Sequence, residues 1–402
     1  MSYAHAIDLS WQPHLKVETR ATDNLRSRST DQEAAWGFDT GGGIEFKAES
    51  ATWRSVVNPA FNIRRFVIGE DADADEYEVR TENQWQFIER ATASLAFDYI
   101  RDSTLSTELS DAGIQNAVVN RDTINVSPGL GYALTERTSL NAGFYYSDVN
   151  FEDREGIFFN DYEFKQFNAG ASHIYNERLT FFANGYISEF ETPETNNKSL
   201  TYGGQGGVTI RYSETLDGDF GVGYTQSEID FQTQRNDGFQ FAIDPVTGQL
   251  IVVPIITIVD ESVVESGPIA SASIRKQFEY LSATLDYSRA VSPSAFGAQT
   301  VADDIELMLD RPLTQRLRLN FRGGYSMRSV ESDALTGTRA NLNRNQVLLS
   351  TSLRYRLTEE FTVAANYRFF WNELVDIERN VYNNTLFFTL SYNGEPHFYR
   401  GF

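Results

Sequence analysis

The sequence predicts an all-β fold, a transmembrane antiparallel up-and-down β-barrel of about 18 strands, with 16 strands as the alternative. Three observations lead to this fold class: long segments in which apolar and polar residues alternate, short turns that recur along the chain, and an unusual composition. Aromatic residues make up 13% of the 402 residues, yet the mean hydropathy is −0.39. Strict alternation explains this combination, because one face of each strand is then apolar and the other is polar.

The alternation is clearest near the end of the chain. From Phe361 to Trp371 every second residue is apolar or aromatic, and the residues between them are largely polar. The segments that begin at Leu317 and Val347 repeat this pattern. Such segments run for about 9 to 13 residues, which matches the roughly 9 to 11 residues that a tilted strand needs to cross a bilayer. We therefore expect the apolar faces to meet outer-membrane lipid and the polar faces to line a lumen.

Short turns of similar composition separate pairs of these segments. The clearest read L-T-E-R-T at Leu134, Y-N-E-R-L-T at Tyr175, Y-S-E-T-L at Tyr212, K-Q-F-E-Y-L at Lys276, L-T-Q-R-L at Leu313 and L-T-E-E-F-T at Leu357. Two weaker turns lie near Glu49 and Ile88, and eight turns link nine hairpins, or 18 strands. Pro59 interrupts the alternation early in the chain, which keeps 16 strands as the alternative. The sheet must close, because lipid offers no hydrogen-bond partner to a strand edge.

The chain is predicted to form one outer-membrane barrel domain over residues 1–402. Ala4-His5-Ala6 fits the small-x-small pattern of a signal peptidase site, so residues 1–6 are either a signal-peptide remnant or a short N-terminal arm. The longest connection, residues 232–267, contains D-P-V-T-G between two apolar runs, which predicts a hairpin. Three placements are open for this hairpin: on the outer surface, folded into the lumen as a constriction, or docked to a partner.

Composition and motifs argue against several classes of function. The formal net charge of −22 argues against a nucleic-acid partner, because phosphate binding needs clustered Lys and Arg. The chain has no cysteine, which excludes disulfides and thiolate metal sites. We find no serine-hydrolase, zinc-protease or Walker motif, and the four histidines have no metal-ligand partner at a useful spacing. The sequence therefore predicts no enzyme, no cofactor and no metal site.

Charged residues of the last third of the chain are the candidates to line the pore. An acidic segment is followed by several basic ones, and the candidates are Asp304, Glu306, Asp310, Arg316, Arg318, Arg322, Arg328, Arg344, Arg354, Arg356 and Arg368. Opposite charges on neighbouring strands predict a neutralising ladder that stiffens the wall. They also predict a transverse field that guides a polar or anionic solute, and both interpretations can hold together.

Aromatic residues are expected to form girdles at the two membrane interfaces. The candidates are Trp11, Trp36, Trp53, Trp85 and Trp371, with Tyr145 and Tyr146. Phe370 and Phe387 fall on the inward face, where they either pack within the wall or stack on sugar rings. The chain stops on Phe402 after an alternating strand, a pattern that resembles the signal read by the barrel-assembly machinery. Because Pro396 interrupts the strand, that signal is either Phe402 or the strand that ends at Tyr392.

Several motifs together resemble an outer-membrane β-barrel porin family associated with exopolysaccharide biosynthesis and export systems. They are T-D-N-L at Thr22, the L-T-x-R/E turns, the hairpin G-Y-A-L-T-E-R-T-S-L-N-A-G-F-Y-Y and the final strand, and the similarity spans nearly the whole chain. The resemblance implies a multi-pass protein of the Gram-negative outer membrane that helps a secreted polysaccharide to cross. It further implies a periplasmic export partner, and it carries over no catalytic residue.

We therefore expect an outer-membrane, porin-like channel, with passive export of a secreted polysaccharide as the leading hypothesis. The alternatives are a general or solute-specific diffusion porin, and a plugged barrel that acts as a surface scaffold or adhesin. The expected partners are outer-membrane lipid, a polysaccharide or other polar solute, a periplasmic export partner and the barrel-assembly machinery.

Overall fold

Strand pairing follows the order of the chain and returns to its start. The computed structural model describes residues 7–68, 72–104, 119–152, 160–243, 250–294, 298–329, 343–375 and 378–400. Each strand lies antiparallel to its neighbours in sequence. The strands are β1 (Asp8–Thr22), β2 (Ala35–Glu49), β3 (Trp53–Phe66), β4 (Ala74–Ile88), β5 (Ala91–Ser103), β6 (Asn120–Ala133), β7 (Thr138–Phe151), β8 (Tyr162–Asn176), β9 (Leu179–Thr192), β10 (Asn197–Ser213), β11 (Leu216–Ile243), β12 (Leu250–Gln277), β13 (Ser282–Ser294), β14 (Ala298–Pro312), β15 (Leu317–Ser329), β16 (Arg344–Arg356), β17 (Phe361–Leu374), β18 (Arg379–Asn393) and β19 (His397–Arg400).

β1 closes the barrel, because its second edge pairs with the end of the chain. One edge pairs with β2 along its full length. The other pairs with β18 as far as His14↔Asn393, and then with β19 from Trp11↔His397. Between these two pairs, β1 spans three residues (14 to 11) while the opposite strand spans four (393 to 397). The opposite strand therefore has one extra residue, and β19 continues β18 after a bulge. The protein is therefore a closed barrel of 18 strands, and the count of 18 is confirmed over 16.

The bulge at Gly394–Pro396 explains how the last strand tolerates a proline. Proline has no backbone N–H, so within sheets it is found at bulges and edges. Gly394 donates its N–H to the carbonyl of Pro13 at 2.8 Å. A Cβ on Gly394 would come within 2.8 Å of the Pro13 ring, so this close approach requires glycine. The pairing of the last strand thus extends past Tyr392 to Arg400, while Phe402 lies outside the described residues.

The register divides the wall into an outer and an inner face. In β1, Leu15 and Val17 point outwards and are 54% and 47% exposed, whereas Glu18 points inwards and is 7% exposed. Cross-strand partners point to the same side of a sheet, so this alternation passes from strand to strand round the barrel. Among the described residues, no helix is long and apolar enough to cross a membrane.

The aromatic residues of the outer face lie towards both ends of the strands. Trp11, Trp53 and Trp85 lie near the tight turns, and Trp36 and Trp371 lie near the long connections.

Tyr146 also points outwards, but its neighbour Tyr145 points into the lumen. The Tyr145 hydroxyl donates a hydrogen bond to Oδ1 of Asn125 at 2.9 Å. The prediction of Tyr145 as a girdle residue is wrong, because adjacent residues of a strand point to opposite faces.

β11 and β12 form a hairpin that is longer than the rest of the wall. Each strand has 28 residues, and they pair from Leu216↔Lys276 to Ile243↔Leu250. β10 accompanies β11 only as far as Asp230, and β13 accompanies β12 only from Ala270. Most of the connection expected at residues 232–267 is therefore strand. The D-P-V-T-G turn lies outside the described residues.

A pair of cysteines tests the closure and its register. Val17 and Leu390 are opposite each other on the outer face, and the chain has no other cysteine to interfere. We expect the double variant Val17→Cys with Leu390→Cys to form a disulfide that makes the chain circular. The oxidised, heat-denatured protein should migrate differently from the reduced protein in gel electrophoresis.

The matched control is Val17→Cys with Thr389→Cys. Thr389 is one residue away but points to the lumen, so this pair should stay reduced. Efficient cross-linking of the control pair, or none of the first pair, would contradict the register.

Candidate functional site

The inner faces surround a lumen that is open near the tight turns and filled near the long connections. In β9 the inward residue Asn184 is exposed, but Ser188, Phe190 and Thr192 are only 5%, 2% and 0% exposed. The inward residues of β7 show the same change from exposed to buried towards the long connections. Solvent therefore reaches the inner wall from the side of the tight turns, and the lumen narrows towards the opposite end.

The connection between β1 and β2 contributes to this filling, and it contains the T-D-N-L motif. Leu25 is buried in a cluster with Ala35, Phe66 and Ala72. Asn24 is 1% exposed and donates its amide to the carbonyl of Tyr382 at 2.7 Å. The motif thus has a structural role, because it fixes the first connection to the rim of the barrel.

Next to this connection, four charged side chains on β1 to β4 form a buried ionic network. Asp39 accepts from Arg20 at 2.7 Å and from Arg64 at 3.2 Å, and Arg64 also lies 3.2 Å from Glu76. Asp39 and Arg64 are 2% and 4% exposed. Sequence reasoning missed this network, although alternation places all four residues on the polar faces of their strands. Only the strand register shows that they meet.

The structure places the predicted pore-lining residues on one side of the inner wall. Asp304, Glu306 and Asp310 lie on β14, Arg318, Arg322 and Arg328 on β15, Arg344, Arg354 and Arg356 on β16, Arg368 on β17, and Arg316 in the turn between β14 and β15. Cross-strand ion pairs within this set include Arg322 with Glu306 at 2.8 Å and Arg318 with Asp310 at 3.0 Å. Arg344 is only 2% exposed, so it lies in the filled half.

Near the tight turns, the basic residues line a wide cavity. It has a volume of about 810 Å³, and its charged lining residues are Lys16, Glu18, Arg316, Arg318, Arg354 and Arg356. Lys16 pairs with Glu18 at 3.0 Å. Within the described part of the chain, Arg316 and Arg354 form no ion pair. This mouth therefore carries an excess of positive charge in a protein whose formal net charge is −22.

A second cavity lies further along the same wall. It has a volume of about 480 Å³ and extends from β13 to β17. Asp304, Glu306 and Arg322 line one side of it, and Gln346 and Arg368 line the other. The cavity lies between the exposed arginines of the mouth and the buried residues of the filled half.

Two of the described histidines take part in side-chain contacts of the wall. His173 lies 3.0 Å from the hydroxyl of Thr138, and the ring of His397 stacks on Trp11 with 4.3 Å between centroids. Across the residues that the structure describes, no group of three or more acidic or histidine side chains is arranged to hold a metal ion.

Comparisons with known proteins support the fold. No protein-family model and no curated protein matches the chain. Among solved structures, the ferric-catecholate import receptor Fiu of E. coli K12 in its open form has a TM-score of 0.50 at 9% identity, covering 98% of this chain and 82% of the receptor. OpdQ of Pseudomonas aeruginosa has a TM-score of 0.48 at 12% identity, covering 96% and 98% of the two chains. OccAB3 of Acinetobacter baumannii has a TM-score of 0.47 at 10% identity, covering 97% and 99%.

At such low identity the likeness shows the fold alone. In fold, the chain is similar to the import receptor, whose TM-score is 0.50, and it is a multi-strand β-barrel of the Gram-negative outer-membrane type. The closed order of its strands confirms the predicted fold class, while these structures do not support the predicted link to exopolysaccharide.

The ionic network predicts a large cost for removing its central carboxylate. Asp39→Asn removes the carboxylate that Arg20 and Arg64 share, although Arg20 keeps Glu18 at 3.7 Å and Arg64 keeps Glu76 at 3.2 Å. We expect the free energy of unfolding to fall by about 2–3 kcal/mol, as for the loss of a hydrogen bond to a charged group, measured by urea denaturation of the folded barrel in lipid.

The control is Asp75→Asn, the same chemical change in an exposed pair. Asp75 lies 2.7 Å from Arg65 on the outer side, and both side chains are more than a third exposed. Such pairs contribute roughly 0–1 kcal/mol. Equal losses of stability in the two variants would show that the buried network has no special role.

Proposed function

We propose that this chain is a passive, porin-like outer-membrane channel for polar solutes. The observation that carries the proposal is a closed barrel whose inner wall is polar and exposed to water over the half near the tight turns. Side chains there are accessible, as Arg318 and Arg322 are each 60% exposed. A barrel of 18 strands is wide enough to enclose an aqueous path unless its own segments fill it.

The filled half supports a channel with a narrow passage over a wide general pore. Residues near the long connections are buried on β1, β7, β9 and β10, and the first connection is fixed against the rim. A solute would therefore pass from a wide mouth into a restricted section. The same filling is the specific observation that favours the second candidate, a plugged barrel that acts as a surface scaffold or adhesin.

Export of a polysaccharide is the narrower form of the channel proposal, and a general or solute-specific diffusion porin is its alternative. The support for export is the resemblance of the turns, of the hairpin and of the final strand to a family associated with exopolysaccharide systems. The T-D-N-L motif adds less support, because its anchoring role explains it without reference to a solute. Swelling of proteoliposomes in oligosaccharides of increasing length would measure the size limit and so separate the two forms.

Conductance separates a channel from a plugged barrel. We expect the purified barrel to produce discrete, stable conductance steps in a planar lipid bilayer. The folded state of the same preparation is checked by its shift in gel mobility on heating. A folded barrel that inserts without any conductance would exclude the channel and leave the scaffold.

The positive mouth predicts the ion selectivity of the channel. Charges that line a pore attract counter-ions and repel ions of the same sign. We expect Arg354→Glu to lower the chloride-to-potassium permeability ratio by about twofold or more, measured as the reversal potential in a salt gradient.

Arg311→Glu is the matched control, since it reverses the same charge on the outer face at the same end of the barrel. It should leave the reversal potential unchanged. An equal shift in both variants would mean that selectivity reflects the total charge of the protein instead of the lining of the lumen.

A further inference from the structure

The inner wall on β7 to β11 carries no charge over the middle of these strands, in contrast to the arginine-rich wall on β15 to β17. Its inward residues lie within 139–145 on β7, 166–172 on β8, 182–188 on β9, 201–207 on β10 and 221–227 on β11, which the register places side by side. Every inward residue in these stretches is glycine, asparagine, glutamine, serine, threonine or an aromatic residue. We call this surface the neutral wall. A solute meets hydrogen-bonding groups and rings here instead of charges.

Two aromatic side chains of β9 lie along the neutral wall instead of projecting across the lumen. The hydroxyl of Tyr186 donates a hydrogen bond to Oγ1 of Thr225 on β11 at 3.0 Å, so the side chain crosses β10. It passes over Gly203, where a Cβ would come within 2.7 Å of the ring. The ring of Phe182 covers Gly207 in the same way. Both aromatic residues are half-buried, and because the wall covers one side of them, their accessible surface is on the lumen side.

Amide side chains lie beside these rings and face water. Asn184 is the inward residue between the two aromatic residues of β9, and Asn141 lies in the same row two strands away. Gly170 separates them, and a Cβ there would meet the Oδ1 atoms of both, that of Asn141 at 2.9 Å. Both asparagines are exposed. Within the described residues, their side chains form no hydrogen bond, so both amides are available to a solute.

These groups fit an uncharged ring that carries hydroxyl groups. An amide side chain both donates and accepts hydrogen bonds, as a hydroxyl group does. The C–H groups of a sugar ring can pack on an aromatic ring, whose face is partially negative. An anion would find no positive charge on the neutral wall. In the next row towards the tight turns it would meet Asp219, which accepts a hydrogen bond from Thr209 at 2.5 Å.

The spacing of the two rings favours a chain of sugars over a single one. Phe182 and Tyr186 are four residues apart on β9. At a rise of roughly 3.3 Å per residue, their Cα atoms are about 13 Å apart. This distance is longer than a monosaccharide. A single sugar would therefore contact one ring, whereas a chain of several sugars would contact both.

We propose that the neutral wall binds chains of uncharged sugar residues, with Phe182 and Tyr186 as stacking surfaces and Asn141 and Asn184 as hydrogen-bond partners. The proposal rests on the proposed channel function, and it names the class of solute that passes along this wall. Each contact is weak by itself, because a hydrogen bond to the wall replaces one to water. A sugar chain is therefore held by several contacts at once and can be released one residue at a time.

Calorimetric titration of the folded barrel with maltohexaose, a linear chain of uncharged sugars, tests the site directly. The detergent must have no sugar headgroup, because such a headgroup would compete for the same wall. We expect saturable binding of maltohexaose. Its dissociation constant should be about tenfold lower than that of glucose, or lower still, because glucose reaches only one ring.

Phe182→Ala removes one of the two rings. We expect it to raise the dissociation constant of maltohexaose about tenfold, as for the loss of an apolar contact with an aromatic side chain. The matched control is Phe181→Ala, the same change at the adjacent residue, which points outwards and is 46% exposed. The control should leave the affinity unchanged.

Asn184→Ala removes an exposed amide that has no partner in the described part of the wall, so folding should be unaffected. We expect it to raise the dissociation constant about threefold, as for the loss of a hydrogen bond between neutral groups. Asn320→Ala makes the same change on the inner face of β15 and should have no effect.

Equal affinities for glucose and maltohexaose, or an unchanged affinity in both wall variants, would overturn the proposal. An equal loss of affinity in each wall variant and its control would overturn it as well. The heat-dependent gel shift shows whether each variant is folded. If Phe182→Ala does not fold, Asn184→Ala and its control decide the outcome.

Conductance measured on the same preparations keeps the two proposals apart. A barrel that conducts but does not bind maltohexaose would overturn the sugar-binding wall and leave the channel. A barrel that binds maltohexaose but does not conduct would support the wall and exclude the channel.

Discussion

The structure depends on pairing both edges of every strand in the membrane. Lipid supplies no hydrogen-bond partner, so a sheet in the hydrocarbon region has to close on itself. β1 meets this requirement by pairing with β2 on one side and with β18 and β19 on the other. The hairpin of β11 and β12 also agrees with this requirement. β10 pairs with β11 only as far as Asp230. Before that point the outward residues of β11 change from Val222 and Tyr224 to the acidic Glu228 and Asp230.

Alternation predicted the elements of the wall well where a strand has one face in lipid and the other in water. The alternating segments that begin at Leu317 and Val347 lie in β15 and β16. The prediction failed on β11 and β12, which continue as paired strands through most of the connection expected at residues 232–267. These extensions project beyond the neighbouring strands and include the continuous apolar run from Leu250 to Val253. Such a run has no alternation to mark a strand.

The candidate site could be predicted only in part, because a strand pattern gives a direction for each side chain but no contacts. It placed Arg368 and Arg322 inwards and predicted neutralisation between neighbouring strands, but it gave neither Glu306 as the specific partner of Arg322 nor the position of Arg368 over Phe387. The pattern also did not predict how deep in the lumen each side chain lies. Arg344 and Arg354 have the same direction on β16, yet Arg344 is buried and Arg354 is exposed. That difference arises from the segments that fill the lumen. One of them is the connection between β1 and β2, which has no periodic pattern.

The position of an arginine along the lumen determines how strongly its positive charge interacts with a solute. At the mouth, Arg316 and Arg354 face water, where salt screens a charge within roughly 10 Å. They raise the local concentration of anions but distinguish poorly between them. Arg368 lies where water is largely displaced, and there a charge interacts more strongly and its direction matters. The register gathers these arginines on three adjacent strands, β15 to β17, and so concentrates positive charge on one side of the lumen in a chain with a formal net charge of −22.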